Sequence, residues 1–170
     1  MFQPEEYIVY GANGVCRITE ICRSPFSAED TRMFYVMTPM SDPTNSVIYT
    51  PVENTAVPMR PLMSRDEIDA LVLRIPSLPI LEIVNEKQRK DVYKSALASV
   101  DPDLYVRLLK TVYQRRILAK EKRKRLPELD NDYETITRRS LYTELSLVLG
   151  IDHGEVEAYL TERIENASAV

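Results

Sequence analysis

Thirteen of the chain's 22 Lys and Arg residues fall between residues 85 and 125, and they define the chemistry this sequence is best equipped for. Lys87, Arg89, Lys90 and Lys94 form one group, Arg107, Lys110, Arg115 and Arg116 follow, and Lys120, Lys122, Arg123, Lys124 and Arg125 form a dense run. Only five acids share the stretch, Glu86, Asp91, Asp101, Asp103 and Glu121, so it carries +8 while the rest of the chain carries −12. A positive field inside a protein of net charge −4 can hold a polyanion at one place and repel it elsewhere. The expected ligand is nucleic acid held through its phosphates, weakly by the protein alone and better when something else delivers it. A bland reading stands beside this one for the run from Lys120 to Arg125: a basic helix end simply complements the helix dipole. The first group lies near a predicted helix start, where the dipole favours acids, so its cations point to an external anion. No zinc-finger spacing, RNA-binding aromatic signature or helix-turn-helix glycine accompanies them, so phosphate contact with shape readout at best is expected.

Catalytic chemistry has little to work with. His153 is the only histidine, and in Asp152-His153-Gly154-Glu155 it reads as a solvated first-turn residue. Gly11 and Gly14 precede a strand, unlike a phosphate-binding loop that opens a helix. Glu5 with Glu6, and Glu128 with Asp130, read as solvated surface pairs. No enzymatic activity, metal or cofactor is expected. Cys16 and Cys22 fall on one face of a predicted strand, about 20 Å apart, well beyond disulfide reach, and are expected to be buried, reduced thiols. No apolar run spans a bilayer and the first residues do not read as a signal peptide, so the cytoplasm is the expected compartment.

The elements that position these residues divide the chain in two. Tyr7 to Tyr10, Val15 to Cys22, Arg32 to Thr38 and Ser46 to Thr50 read as short strands. Gly11-Ala12-Asn13-Gly14 forms one turn, and Pro39, Asp42, Pro43 and Asn45 mark another. Between Val15 and Cys22, alternation places Val15, Arg17, Thr19 and Ile21 on one face, and Cys16, Ile18, Glu20 and Cys22 on the other.

After Pro61 the period becomes helical. Ser64 to Glu67 is a capping box leading into a stripe of Ile68, Leu71, Val72 and Ile75, closed by Pro76 and Pro79. Asn85 caps a second helix to about Ser99, and Asp101-Pro102 starts a third whose buried side is Leu104, Tyr105, Leu108, Leu109 and Val112 and whose end is the run from Lys120 to Arg125. Pro127 separates it from a fourth helix, about Asp130 to Leu149, with Leu141, Leu145 and Val148 inward. Gly150 is its C-cap, Asp152 caps a fifth helix to about Asn166, and residues 167 to 170 are expected to fray. The fold class is α+β: a small antiparallel barrel, 1–62, then a compact helical domain of about five helices, 63–170.

Segments of both halves resemble the CarD and CdnL family of bacterial transcription regulators, whose first module also occurs in the transcription-repair coupling factor. Val9-Tyr10-Gly11-Ala12-Asn13-Gly14-Val15 followed by Ile18 is similar to the family's opening hairpin, with Gly11 and Asn13 replacing its turn Pro and His. Thr50-Pro51-Val52-Glu53-Asn54, Arg60-Pro61 and the Leu141 to Ile151 segment resemble three further family stretches. The resemblance implies a Tudor-like or SH3-like barrel that docks on the RNA polymerase β subunit, with Arg23 and the strand bearing Val47 and Tyr49 as contact candidates. Alternation alone reads Val47 and Tyr49 equally as the outer face of a strand.

It also implies a helical domain set against promoter DNA, through the minor groove and backbone, at the upstream edge of the transcription bubble, where it modulates open-complex stability. The DNA candidates are Lys87, Arg89, Lys90, Lys94, Lys120, Lys122, Arg123, Lys124 and Arg125, and a monomer is expected. The family's wedge Trp is missing, since the chain has no Trp, and its position falls on Glu86. Arg89 matches the basic residue beside it, and Ile83 or Val84 are the apolar substitutes. The alternative reading is a protein-only adaptor whose basic helices meet an acidic partner and never touch DNA.

Overall fold

The computed structural model describes residues 1–41, 44 and 46–168. The turn residues Asp42, Pro43 and Asn45, and Ala169 and Val170 of the expected frayed tail, lie outside the described residues. Two compact units meet in sequence between Leu62 and Met63.

The first unit is a five-stranded antiparallel sheet in the order β4-β3-β2-β1-β5. Its strands are β1 (Tyr7–Tyr10), β2 (Val15–Arg23), β3 (Met33–Pro39), β4 (Ile48–Pro51) and β5 (Met59–Pro61). The last strand has no counterpart in the sequence reading. It is only three residues long and ends in Pro61, which cannot donate to a ladder and therefore fits an edge. The β1–β2 connection is a 3-10 turn, Gly11–Asn13, that needs its first glycine twice over. Gly11 has φ +46°, and a Cβ there would lie 2.7 Å from Val57 Cγ1.

The alternation expected along β2 is broken at Thr19. Register slips between Ile18 and Glu20, so Cys16, Ile18 and Ile21 stand opposite Pro39, Met37 and Tyr35, and Cys22 opposite Phe34. This bulge turns Ile21 toward the core of Ile8, Tyr10, Cys16, Ile18, Tyr35 and Met37. It also places Cys16 and Cys22 on opposite faces and leaves Cys22 only partly buried, correcting both expectations for the pair. Burial pushes the Cys16 thiol up to about 12, so it stays protonated and inert.

The second unit holds five α-helices: α1 (Arg65–Arg74), α2 (Arg89–Ala98), α3 (Pro102–Glu121), α4 (Glu128–Leu149) and α5 (Val156–Ser168). The capping box at α1 is formed: the Ser64 hydroxyl accepts from Glu67 N–H at 3.2 Å and the Glu67 carboxylate from Ser64 N–H at 2.7 Å. Asn85 caps a 3-10 turn, Glu86–Gln88, that leads into α2. Asp101 accepts from the Asp103 N–H at 2.9 Å and Pro102 occupies the first helical position of α3. Gly150 ends α4 with φ +68°. The final helix continues to Ser168, so its end extends two residues beyond the expected Asn166.

Helix α3 stops four residues before the expected end of its basic run. Lys124 N–H donates to Ala119 O at 2.8 Å and Arg123 N–H to Lys120 O at 3.0 Å, the paired bonds of a Schellman terminus. Arg123, with φ +52°, takes the left-handed position usually held by glycine. Lys122 through Arg125 are thus a connection, while only Lys120 lies on the helix.

Two apolar clusters hold the helices together. Ile68, Leu71, Val72, Leu97, Tyr105, Val106, Leu141, Leu145 and Val156 join all five helices in one. Leu81, Tyr93, Ala96, Leu108 and Val112 form the other, behind the basic stretch. At roughly 1.5–3 kcal/mol per fully buried side chain, these clusters fix the frame on which the cations sit.

Candidate nucleic-acid interface and protein-docking face

The helical unit divides its thirteen cations into those that build it and those that face solvent. Arg107 donates to the carbonyls of Pro79 and Ile80, and Lys110 Nζ to that of Ile75 at 2.9 Å, so both satisfy the backbone after α1. Arg116 pairs with Glu134, which also accepts from Arg138 at 3.0 Å. The Arg116 hydrogen bond holds the Glu134 carboxyl below its ordinary range.

Arg89 and Arg115 converge on Asp130, which sequence reasoning placed on the surface and which is instead fully buried. Its Oδ1 accepts from the Tyr93 hydroxyl at 2.7 Å and lies 3.1 Å from Arg115 Nε and 3.6 Å from Arg89 Nε. A carboxylate enters an interior at low cost only when paired, and two guanidiniums provide that pairing. Burial, reinforced by Asp130, raises the Tyr93 hydroxyl well above its ordinary pKa, so it remains a donor. The outer ends of both arginines grip Glu86: Arg115 Nη1 and Nη2 at 2.9 and 3.0 Å, and Arg89 Nη1. The Arg115 hydrogen bond holds Glu86 below its ordinary range. The Arg89 side chain is only 11% exposed, so it differs in kind from the other DNA candidates.

Eight cations remain, all exposed and in no ion pair among the described residues: Lys87, Lys90 and Lys94 around the start of α2, and Lys120, Lys122, Arg123, Lys124 and Arg125 at the end of α3 and beyond it. Asp130, Arg115 and Glu134 escaped the sequence reading as organising residues. An acid in the first turn of a helix carries no mark of burial, and the partners lie far away in sequence. Val84, next to the turn, is 85% exposed, whereas Ile83 packs against the second apolar cluster. His153 is exposed, with its ring 5.7 Å from that of Tyr142. Among the described residues, no three His, Cys, Asp or Glu side chains gather as a metal site would require, and no helix is long and apolar enough to cross a membrane.

In the sheet unit, β4 is an edge strand. Ile48 and Thr50 stand opposite Met37 and Tyr35 on the core face, while Tyr49 and Pro51 stand opposite Val36 and Phe34 on the other. Phe26, 71% exposed, packs edge-on against both Phe34 and Tyr49 with ring centroids 5.7 Å apart in each pair. Arg32 extends this patch by lying 5.6 Å over the Phe34 ring. Its fork also holds Asp30, at 2.9 and 2.7 Å, driving that carboxyl far below its usual range. Tyr49 is 42% exposed, Val47 50% exposed just outside the strand, and Arg23 is exposed at the end of β2. Phe26 was missed because it lies in a loop, where no periodicity marks an aromatic that packs on a sheet face.

Comparison with known families matches residues 2–63 to the CarD-like/TRCF RID domain. The match covers the sheet unit. The CarD-like domain is a Tudor-like, non-catalytic module of RNA polymerase-interacting transcription factors, which accounts for the fold class and points to RNA polymerase as a partner. No curated protein matches the chain. Resembling residues within the matched stretch have local structural reasons. Gly11 admits the approach of Val57, and the Asn54 side chain ties that same segment by accepting from Ala56 N–H at 3.0 Å and Val57 N–H at 3.2 Å and donating to Val57 O at 2.8 Å. Arg60 and Pro61 pair with Val9 and Ile8 as β5. The match ends as the helical unit begins, and the aromatic patch lies inside it.

Proposed function

We propose that the protein is a transcription regulator whose CarD-like domain, 1–62, docks on the β subunit of RNA polymerase and whose helical domain, 63–170, contacts promoter DNA at the upstream edge of the transcription bubble. The observation that carries the DNA half is the separation of cations: those not needed by the fold are exposed and fall in two groups. Lys87, Lys90, Lys94, Lys120, Lys122, Arg123, Lys124 and Arg125 contact backbone phosphates in this reading, and Arg89 acts from within the ion cluster. If all eight met phosphates, the salt slope of duplex binding would reach about −7, so measured slopes should lie between zero and that bound. Val84 is the apolar side chain free to reach the minor groove in place of the family's Trp. The docking half rests on Phe26 and Tyr49, with Arg23 and Val47 at the margins, because an exposed aromatic patch at a sheet edge provides a ready interface.

The protein acts as a monomer in the bacterial cytoplasm and modulates open-complex stability by binding the open complex more tightly than the closed one; equal binding would shift nothing. Co-precipitation with isolated β subunit tests the docking. The intact chain should retain β, and a Phe26→Ala/Tyr49→Ala chain should lose most of it. Retention of β by the double variant at the level of the intact chain would reject this face. Loss of DNA binding by every form, with polymerase binding kept, would favour the protein-only adaptor.

A further inference from the structure

We propose that Arg89 and Arg115 form a phosphate-oxygen site that Glu86 occupies in the free protein, so that Glu86 is a latch on DNA contact. This deepens the DNA half of the reading above and rests on it for the identity of the ligand. Arg115 presents its two terminal nitrogens to the Glu86 carboxylate at 2.9 and 3.0 Å, and Arg89 adds Nη1. A fork of this kind accepts two phosphate oxygens in the same geometry as two carboxylate oxygens, so the Glu86 oxygens stand in for those of a phosphodiester.

The two arginines have a second counter-ion besides Glu86. Behind them the buried Asp130 faces both Nε atoms, at 3.1 and 3.6 Å, and is itself held by Tyr93 at 2.7 Å. Without Glu86, two guanidiniums and one carboxylate would leave the site with one positive charge. The occupant is the exposed partner: the Glu86 side chain is 63% accessible, against 25% for Arg115 and 11% for Arg89. It rides on a three-residue 3-10 turn outside the α-helices, beside the exposed Lys87 and Lys90, which form no ion pair among the described residues. A phosphate approaching those lysines can displace Glu86 and take its two oxygen positions. The arrangement explains why an acid sits within a basic patch: it weakens binding to arbitrary DNA, and a correctly placed backbone relieves it.

The test uses the full chain, Glu86→Ala, Glu86→Ala/Arg115→Gln, and Asp91→Asn as the control that removes one exposed acid from the adjoining helix α2. Each is titrated with a short DNA duplex across a range of salt, and separately with inorganic pyrophosphate. Glu86→Ala should bind duplex about threefold to tenfold more tightly than Asp91→Asn, with the salt slope steeper by about one to two, and the added Arg115→Gln should cancel that excess. It should also acquire pyrophosphate binding that the double variant lacks. An excess no larger than that of Asp91→Asn, or one that survives Arg115→Gln, would overturn the latch. Pyrophosphate binding without any duplex gain would overturn DNA as the ligand. If even the intact chain failed to bind duplex, the DNA reading would fail, while the pyrophosphate titration would still decide whether Glu86 covers an anion site.

Discussion

At the scale of single residues, Asp130 connects fold and candidate function. Its carboxylate neutralises the inner ends of Arg89 and Arg115, leaving their outer ends directed at Glu86. Asp130→Ala should destabilise the protein by about 3–5 kcal/mol in urea denaturation, because it leaves the buried Nε ends of Arg89 and Arg115 without their counter-ion. A loss below about 1 kcal/mol would show that the cluster relaxes into solvent. Acid should act on the same unit through Glu86 and Glu134, whose carboxyls are both held below the ordinary 4.5 by arginine partners. A depressed folded-state pKa contributes stability that is fully present above the unfolded value and is lost as pH falls through the folded one. Melting temperature should therefore be insensitive to these two groups above about pH 5 and should decline below it. Glu134→Gln should flatten that decline; an unchanged acid slope would remove Glu134 from the account. The pairing of Arg89, Arg115 and Glu86 around Asp130 was not legible in the sequence, because Asp130 has the same sequence context as an exposed first-turn acid.

At the scale of elements, the strands and helices were largely readable and the departures have local causes. Capping residues Ser64, Asn85 and Asp101 marked helix starts because their side chains satisfy backbone N–H groups that a helix leaves open. The bulge at Thr19 was invisible because alternation carries no sign of an extra residue, yet it reversed the faces of Ile21 and Cys22. The basic run suited a helix end by composition, but the chain leaves the helix at Glu121 through a Schellman terminus with Arg123 in the left-handed position. Glycine meets no Cβ penalty there, so Arg123→Gly should raise stability by about 0.5–1 kcal/mol. The same change should reduce the salt slope of duplex binding by about one if Arg123 meets a phosphate. A stability gain with an unchanged slope would remove Arg123 from the DNA contacts.

At the scale of the whole molecule, the chain pairs a CarD-like domain bearing an aromatic patch with a helical unit bearing solvent-facing cations, inside a protein of net charge −4. An overall negative charge with a local basic field suits delivery by a partner more than independent search along DNA. The two-part organisation was legible from the change of period after Pro61, and the family from turn and segment residues that the structure explains sterically. The proposed docking face was only half legible, since Tyr49 lay on a strand and Phe26 in a loop. The most direct test is a footprint of polymerase on promoter DNA with and without the protein. Protection should extend at the upstream edge of the bubble only when polymerase is present, disappear with Phe26→Ala/Tyr49→Ala, and accompany a shortened melted region with Val84→Ala. A footprint that the intact protein leaves unchanged would contradict the bridging account.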